Sequence, residues 1–277
     1  LAVDISNHNN DEVKKMNHKI RLLLVMVLGV LGSHVQAAVL EQAVPYEYNG
    51  TSYTGYIYFD DALKGKQPGV LVIHEWWGLN DYAKGRAKEL ASMGYVAFAM
   101  DMYGDNKVTN HPAQAKEWMK QTTANVDEWQ KRANLGLKLL RENQRVQDSK
   151  VAAVGYCFGG ATVMQLAYSG ADVTGVVSFH GSLPPANAEQ AKAIKGKVLV
   201  EHGNDDAFIP AERVVKFKAA LNDAGVDYTF HGYDGVRHAF TNPDAGSYGI
   251  ENLKYDADAD SKSWSSMKTF LAGLFAK

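Results

Sequence analysis

The chain has 277 residues, with 46% hydrophobic and 22% charged residues, which excludes disordered, collagen-like and coiled-coil classes. A formal net charge of -2 gives no bulk attraction to nucleic acid or anionic membrane. A single cysteine, Cys157, excludes an intramolecular disulfide and any multi-cysteine metal site.

Residues 1–37 read as a processing segment. Residues 22–31, LLLVMVLGVL, form a short apolar run preceded by Lys19 and Arg21 and followed by Val35-Gln36-Ala37. This is the order of a secretory signal peptide, and the run is too short to span a bilayer. Met16 would give it a short basic head, so the expected start is Met16 and the expected cleavage follows Ala37. The expected product is periplasmic or secreted, spans 38–277 as one domain, and makes no stable membrane insertion. An unpaired cysteine in an oxidising compartment needs a reason.

Residues 46–60 predict a β-hairpin, with the type I′ signal Asn49-Gly50 between aromatic and β-branched residues. Downstream, apolar runs at 70–74, 95–100, 151–155, 175–180, 198–201 and 228–232 alternate with helical patterns. The helices are expected at 82–93, 112–142, 159–168, 188–192, 211–224 and 258–275. The last places Trp264, Met267, Phe270, Leu271 and Leu274 on one face. Continuous apolar strands between helices predict a three-layer α/β domain with a mostly parallel central sheet and an N-terminal hairpin. Ligands bind beyond the carboxyl ends of such strands, so the residues that follow each run carry the chemistry.

Gly155-Tyr156-Cys157-Phe158-Gly159-Gly160 follows one run and opens a helix. It is the G-x-S-x-G nucleophile turn with Cys in place of Ser. A sulfur at a helix N-terminus is favoured as thiolate, and the Phe158 N–H can hold an oxyanion. A dinucleotide turn is excluded, because its middle glycine is Cys157. Downstream, an acid is offered by Asp205 or Asp206 and a base by His238, in the order nucleophile, acid, histidine. Asp206 could instead cap a helix opening at Pro210. His74-Glu75 resembles the start of H-E-x-x-H, but Gly78 stands at the second histidine, which excludes a zinc protease. No metal or cofactor site is expected.

Several of these pieces together resemble the dienelactone hydrolase family of α/β-hydrolases. They are Val72–Asn80, Asp101-Met102-Tyr103, the Cys157 turn, Asp206 with Phe208 and Pro210, and His238-Ala239-Phe240. The resemblance implies a three-layer α/β-hydrolase fold and a Cys157–His238–Asp206 triad. It also implies a Glu75 that contacts Cys157 at rest and helps to generate the thiolate, and oxyanion donors at the N–H groups of Trp76 and Phe158. The expected reaction is cleavage of a small-molecule ester or lactone through a cysteinyl acyl-enzyme. The competing expectation is a non-catalytic ligand-binding protein on the same fold. Trp77, Tyr103, His180 and Phe208 are expected to line the substrate pocket. Two arginines with which dienelactone-cleaving members grip a carboxylate are replaced here by Asp105 and Asn242. Asp105 would repel an anion, so neutral substrates are expected to be preferred.

Overall fold

A computed structural model describes residues 38–276; the expected signal segment lies outside the described residues. The hairpin forms as β1 (Val39–Tyr48) and β2 (Thr51–Asp60), joined by a two-residue turn. Asn49 and Gly50 both take positive φ, 49° and 74°, as a type I′ turn requires. Pairing runs from Tyr48–Thr51 back to Val39–Asp60, so the hairpin starts earlier than residue 46.

The remaining strands are β3 (Gln67–Ile73), β4 (Val96–Met100), β5 (Val146–Tyr156), β6 (Gly175–Phe179), β7 (Lys197–Gly203) and β8 (Tyr228–Tyr233). They form one eight-stranded sheet in the order β1-β2-β4-β3-β5-β6-β7-β8. The β1–β2 and β2–β4 pairs are antiparallel, and β4, β3 and β5 to β8 run parallel. The strand order reverses around β3, which opens a crevice at the carboxyl ends.

The helices are α1 (Asp81–Ser92), α2 (Pro112–Thr123), α3 (Val126–Glu142), α4 (Phe158–Tyr168), α5 (Ala188–Ala193), α6 (Ala211–Asp223) and α7 (Ala257–Phe275). The single helix expected over 112–142 is two helices. The Asn125 side chain accepts the Glu128 N–H and caps α3, and a cap residue favours starting a helix over continuing one.

Strand alternation sorts the core into two layers. Leu71, Ile73, Phe98, Met100 and Ala153 face one side with α3, α4 and α6. Val70, Val72, Ala97, Ala99 and Val154 face the other with α1 and α7. Met267 and Leu271 of α7 are fully buried there, with Trp264, Phe270 and Leu274 packed beside them. β3, β4 and β5 are therefore sealed on both faces, and chemistry is confined to their ends.

Candidate active site

β5 ends at Tyr156 and α4 begins at Phe158, so the whole reversal falls on Cys157. Its backbone has φ 55° and ψ −110°, a strained combination for a residue with a Cβ. The turn is possible because the residues two positions away on either side, Gly155 and Gly159, lack side chains. A Cβ on Gly155 would sit 2.0 Å from the Gly159 carbonyl oxygen, and one on Gly159 would sit 2.1 Å from that of Ile73. The sulfur is half-buried and borders a cavity of about 490 Å³.

His238 follows β8 and is buried with Asp206, which follows β7. His238 Nδ1 lies 2.6 Å from Asp206 Oδ2, which leaves Nε2 for the thiol. The other carboxylate oxygen, Asp206 Oδ1, accepts the Phe208 N–H at 2.9 Å and Asn252 Nδ2 at 3.1 Å. Burial would raise the Asp206 carboxyl, but the His238 hydrogen bond and charge outweigh it and hold it low. Burial would lower His238; the adjacent charges of Cys157 and Asp206 win and hold the imidazole well above its usual range. Asp205 is exposed and accepts the Gly235 N–H instead. Thus Asp206 is the acid facing His238. It does not cap α6, whose N-cap is Pro210.

Glu75 is buried just beyond β3. Its Oε2 accepts Asn242 Nδ2 at 2.6 Å, and its buried Oε1 has no partner. Burial pushes this carboxyl up to about 7, against the pull of Asn242, His238 and Arg86. Glu75 is hydrogen-bonded to Asn242, and no hydrogen bond joins it to Cys157.

The N–H groups of Trp76 and Phe158 have no acceptor among the described residues. Phe158 opens α4, where the first N–H groups lack helical partners. The peptide bearing the Trp76 N–H is braced at its carbonyl. His74 Nε2 accepts the Met102 N–H at 3.1 Å, so Nδ1 carries the proton and donates to the Glu75 carbonyl. Burial lowers His74 to about 4, against that backbone bond.

Trp76, Phe158, Phe208 and His238 line the cavity with Cys157, but three expected lining residues do not. Trp77 is 1% exposed and stacks on Tyr248, with ring centroids 3.8 Å apart. Tyr103 lies behind the wall and donates its hydroxyl to the Trp76 carbonyl at 3.0 Å. His180 is fully buried beneath the Cys157 turn. Successive side chains at a strand end point to opposite layers, so position after a strand did not decide which faced the crevice.

The rest of the wall comes from helices and loops, including Met119, Trp129, Pro184 and Ile209. The Trp129 indole N–H is taken by Thr162 at 3.0 Å, so that ring offers the cavity no donor. The basic side chains in the lining, besides His238, are Lys116 of α2 and Arg213 of α6; no Asp or Glu lines it. Among the described residues neither Lys116 nor Arg213 has an acidic partner. Asp105 does not line the cavity and pairs with Lys107 at 3.3 Å. Asn242 is committed to Glu75. The basis for expecting anion repulsion at Asp105 is therefore removed. No group of three or more His, Cys, Asp or Glu side chains is placed to hold a metal among the described residues.

The sheet order, the strand–turn–helix at Cys157 and the Asp206–His238 pair after the last two strands define an α/β-hydrolase fold. Residues 54–275 match the model of the dienelactone hydrolase family, and the chain belongs to that family of hydrolases. Protein usf of Aquifex pyrophilus is 32% identical over 206 residues, covering 73% of this chain and 87% of that protein. The crystal structure of a dienelactone hydrolase-like promiscuous phosphotriesterase from metagenomic libraries is similar at 38% identity and TM-score 0.83. That likeness covers 86% of this chain and 99% of the other. A structure named m3DLH is similar at 34% identity and the same TM-score, with the same coverage.

Proposed function

We propose that this protein hydrolyses small-molecule esters or lactones through a covalent intermediate on Cys157. The observation that carries the reading is His238, bonded to Asp206 at 2.6 Å and set beside Cys157 at the cavity. In the proposed cycle His238 Nε2 takes the thiol proton and Sγ attacks the carbonyl carbon. The resulting oxyanion is held by the N–H groups of Trp76 and Phe158. Collapse breaks the ester C–O bond, and His238 returns the proton to the leaving alkoxide. Water, deprotonated by His238, then cleaves the thioester and regenerates Cys157. Asp206 keeps the His238 proton on Nδ1 throughout. Glu75, pushed up to about 7, can exchange a proton near neutrality and assist thiolate formation.

The apolar wall of Met119, Trp129, Phe158 and Ile209 suits an aliphatic or aromatic acyl group. The test is Cys157→Ala against wild type on an aryl ester. Loss of at least about a thousandfold in kcat is expected, with an unchanged circular dichroism spectrum. Mass spectrometry of wild type quenched during turnover should show a thioester on Cys157. Turnover by Cys157→Ala would refute the reading.

Export is proposed on the signal-like order of residues 22–37. N-terminal sequencing of the exported protein should begin at Ala38; a retained Met16 would refute it.

A further inference from the structure

His180 is fully buried and excluded from the cavity. A buried imidazole is costly unless both ring nitrogens are bonded, and here both are. Nδ1 lies 3.1 Å from the Cys157 N–H. That N–H can only donate, so Nδ1 bears the lone pair and Nε2 bears the proton. Nε2 then donates to Thr241 Oγ1 at 2.8 Å. Thr241 is itself anchored: its hydroxyl pairs with Tyr82 Oη at 2.6 Å, and its carbonyl accepts Arg86 Nη2 at 2.6 Å. Arg86 in turn bonds Asp260 of α7 at 2.6 Å. The tautomer of His180 is thus set by the Cys157 N–H, while Nε2 is anchored through Thr241 to α1 and α7.

The two residues that share this bond are both strained. His180 has φ 38° and Cys157 has φ 55°, and such conformations persist only where neighbours over-determine them. The Cys157 N–H is also held by the Phe179 carbonyl at 3.0 Å, so two acceptors fix one donor at the sharpest point of the turn. The opposite tautomer would set N–H against N–H. Burial, the adjacent His238 and Arg86 all disfavour a second proton on the ring.

We propose that His180 is a positioning residue. Held in one neutral tautomer and anchored at Nε2 by Thr241, it fixes the Cys157 backbone and so places the sulfur and the Phe158 N–H for attack. The proposal rests on Cys157 being the nucleophile. It predicts a defect in the chemical step, since small displacements of reacting groups cost rate more than affinity.

The experiment compares Thr241→Val, which keeps the shape and removes the acceptor, with Thr241→Ser, which keeps the hydroxyl. The Thr241 carbonyl bond to Arg86 survives in both. With a chromogenic aryl ester, Thr241→Val should lose roughly tenfold or more in kcat with KM within about twofold. Thr241→Ser should recover kcat to within about threefold of wild type. Circular dichroism and the melting temperature of each variant show whether it is folded. If Thr241→Val lacks the native spectrum, Thr241→Ala is read against the same serine reference. Wild-type kcat in the folded valine or alanine variant, with Cys157→Ala inactive, overturns the inference and spares the nucleophile. A loss that serine fails to restore also overturns it. Turnover by Cys157→Ala removes the nucleophile and this inference with it.

Discussion

Asn242 and Glu75 form a buried pair in which an amide faces the carboxyl, Nδ2 to Oε2 at 2.6 Å. A neutral donor leaves burial as the dominant influence, and Glu75 stays protonated up to about pH 7 in the folded chain.

This has a consequence for stability. Unfolded, Glu75 loses its proton near its ordinary value of 4.5. Between these pH values the native state holds the extra proton. The stability from the neutral buried group is full below about 4.5 and is lost as pH rises through 7. Glu75→Gln removes the titration. Urea unfolding should show the variant gaining on wild type as pH rises from 4.5 to 8, by about 3 kcal/mol. A stability difference that does not change with pH would contradict the assignment.

Asp206 holds His238 and is itself held by Asn252. Asp206→Asn should reduce kcat by two to four orders of magnitude, roughly, because an amide can stabilise the wrong imidazole tautomer. Asn252→Ala removes one of the three groups on the carboxylate and should cost about tenfold. Equal effects of the two substitutions would show that Asp206 serves the fold more than the base.

Lys116 and Arg213 line a cavity that has no carboxylate. Matched ester pairs, one neutral and one with a terminal carboxylate, should therefore favour the anion in kcat/KM. Both cations are exposed, so the preference should be modest, roughly tenfold at low salt, and fade as salt is added. The double variant Lys116→Ala, Arg213→Ala should abolish it. A preference for the neutral ester at low salt would rule these cations out as a substrate anchor.

Two glycine-to-alanine changes should act with opposite signs. A Cβ on Gly159 would strike the β3 backbone at Ile73, whereas one on Gly85 in α1 meets nothing within 4 Å. Gly159→Ala should destabilise by about 3 kcal/mol or more. Gly85→Ala should stabilise by about 0.5–1 kcal/mol. Denaturant midpoints decide, and a stable Gly159→Ala would contradict the close β3–α4 approach.

The layer architecture was legible because period-2 and period-3.6 patterns mark strands and helices directly. The break within 112–142 also has a local signal, the Asn125 cap of α3. The Cys157 turn and His238 fall at strand ends, where their spacing marks them; spacing leaves Asp205 and Asp206 open, and only the family resemblance implies Asp206. The cavity wall was much less legible. Lys116, Met119, Trp129 and Arg213 lie on α2, α3 and α6, and periodicity shows which face of a helix is apolar without showing what it faces. Asn252, far along the chain from Asp206, carries no local signal. Trp77, Tyr103 and His180 failed as wall residues because a strand-end position does not fix the layer into which its side chain turns.

The half-buried Cys157 is the only thiol in the sequence. Any reagent that consumes one thiol per chain therefore reports on this single position, before a natural substrate is known. A chromogenic disulfide titrated under native conditions and again in denaturant would give, as a ratio, the share of this thiol that is accessible in a preparation. The same sulfur can carry a fluorophore or a spin label into the cavity without a single substitution, so ligand screening can begin from occupancy instead of turnover.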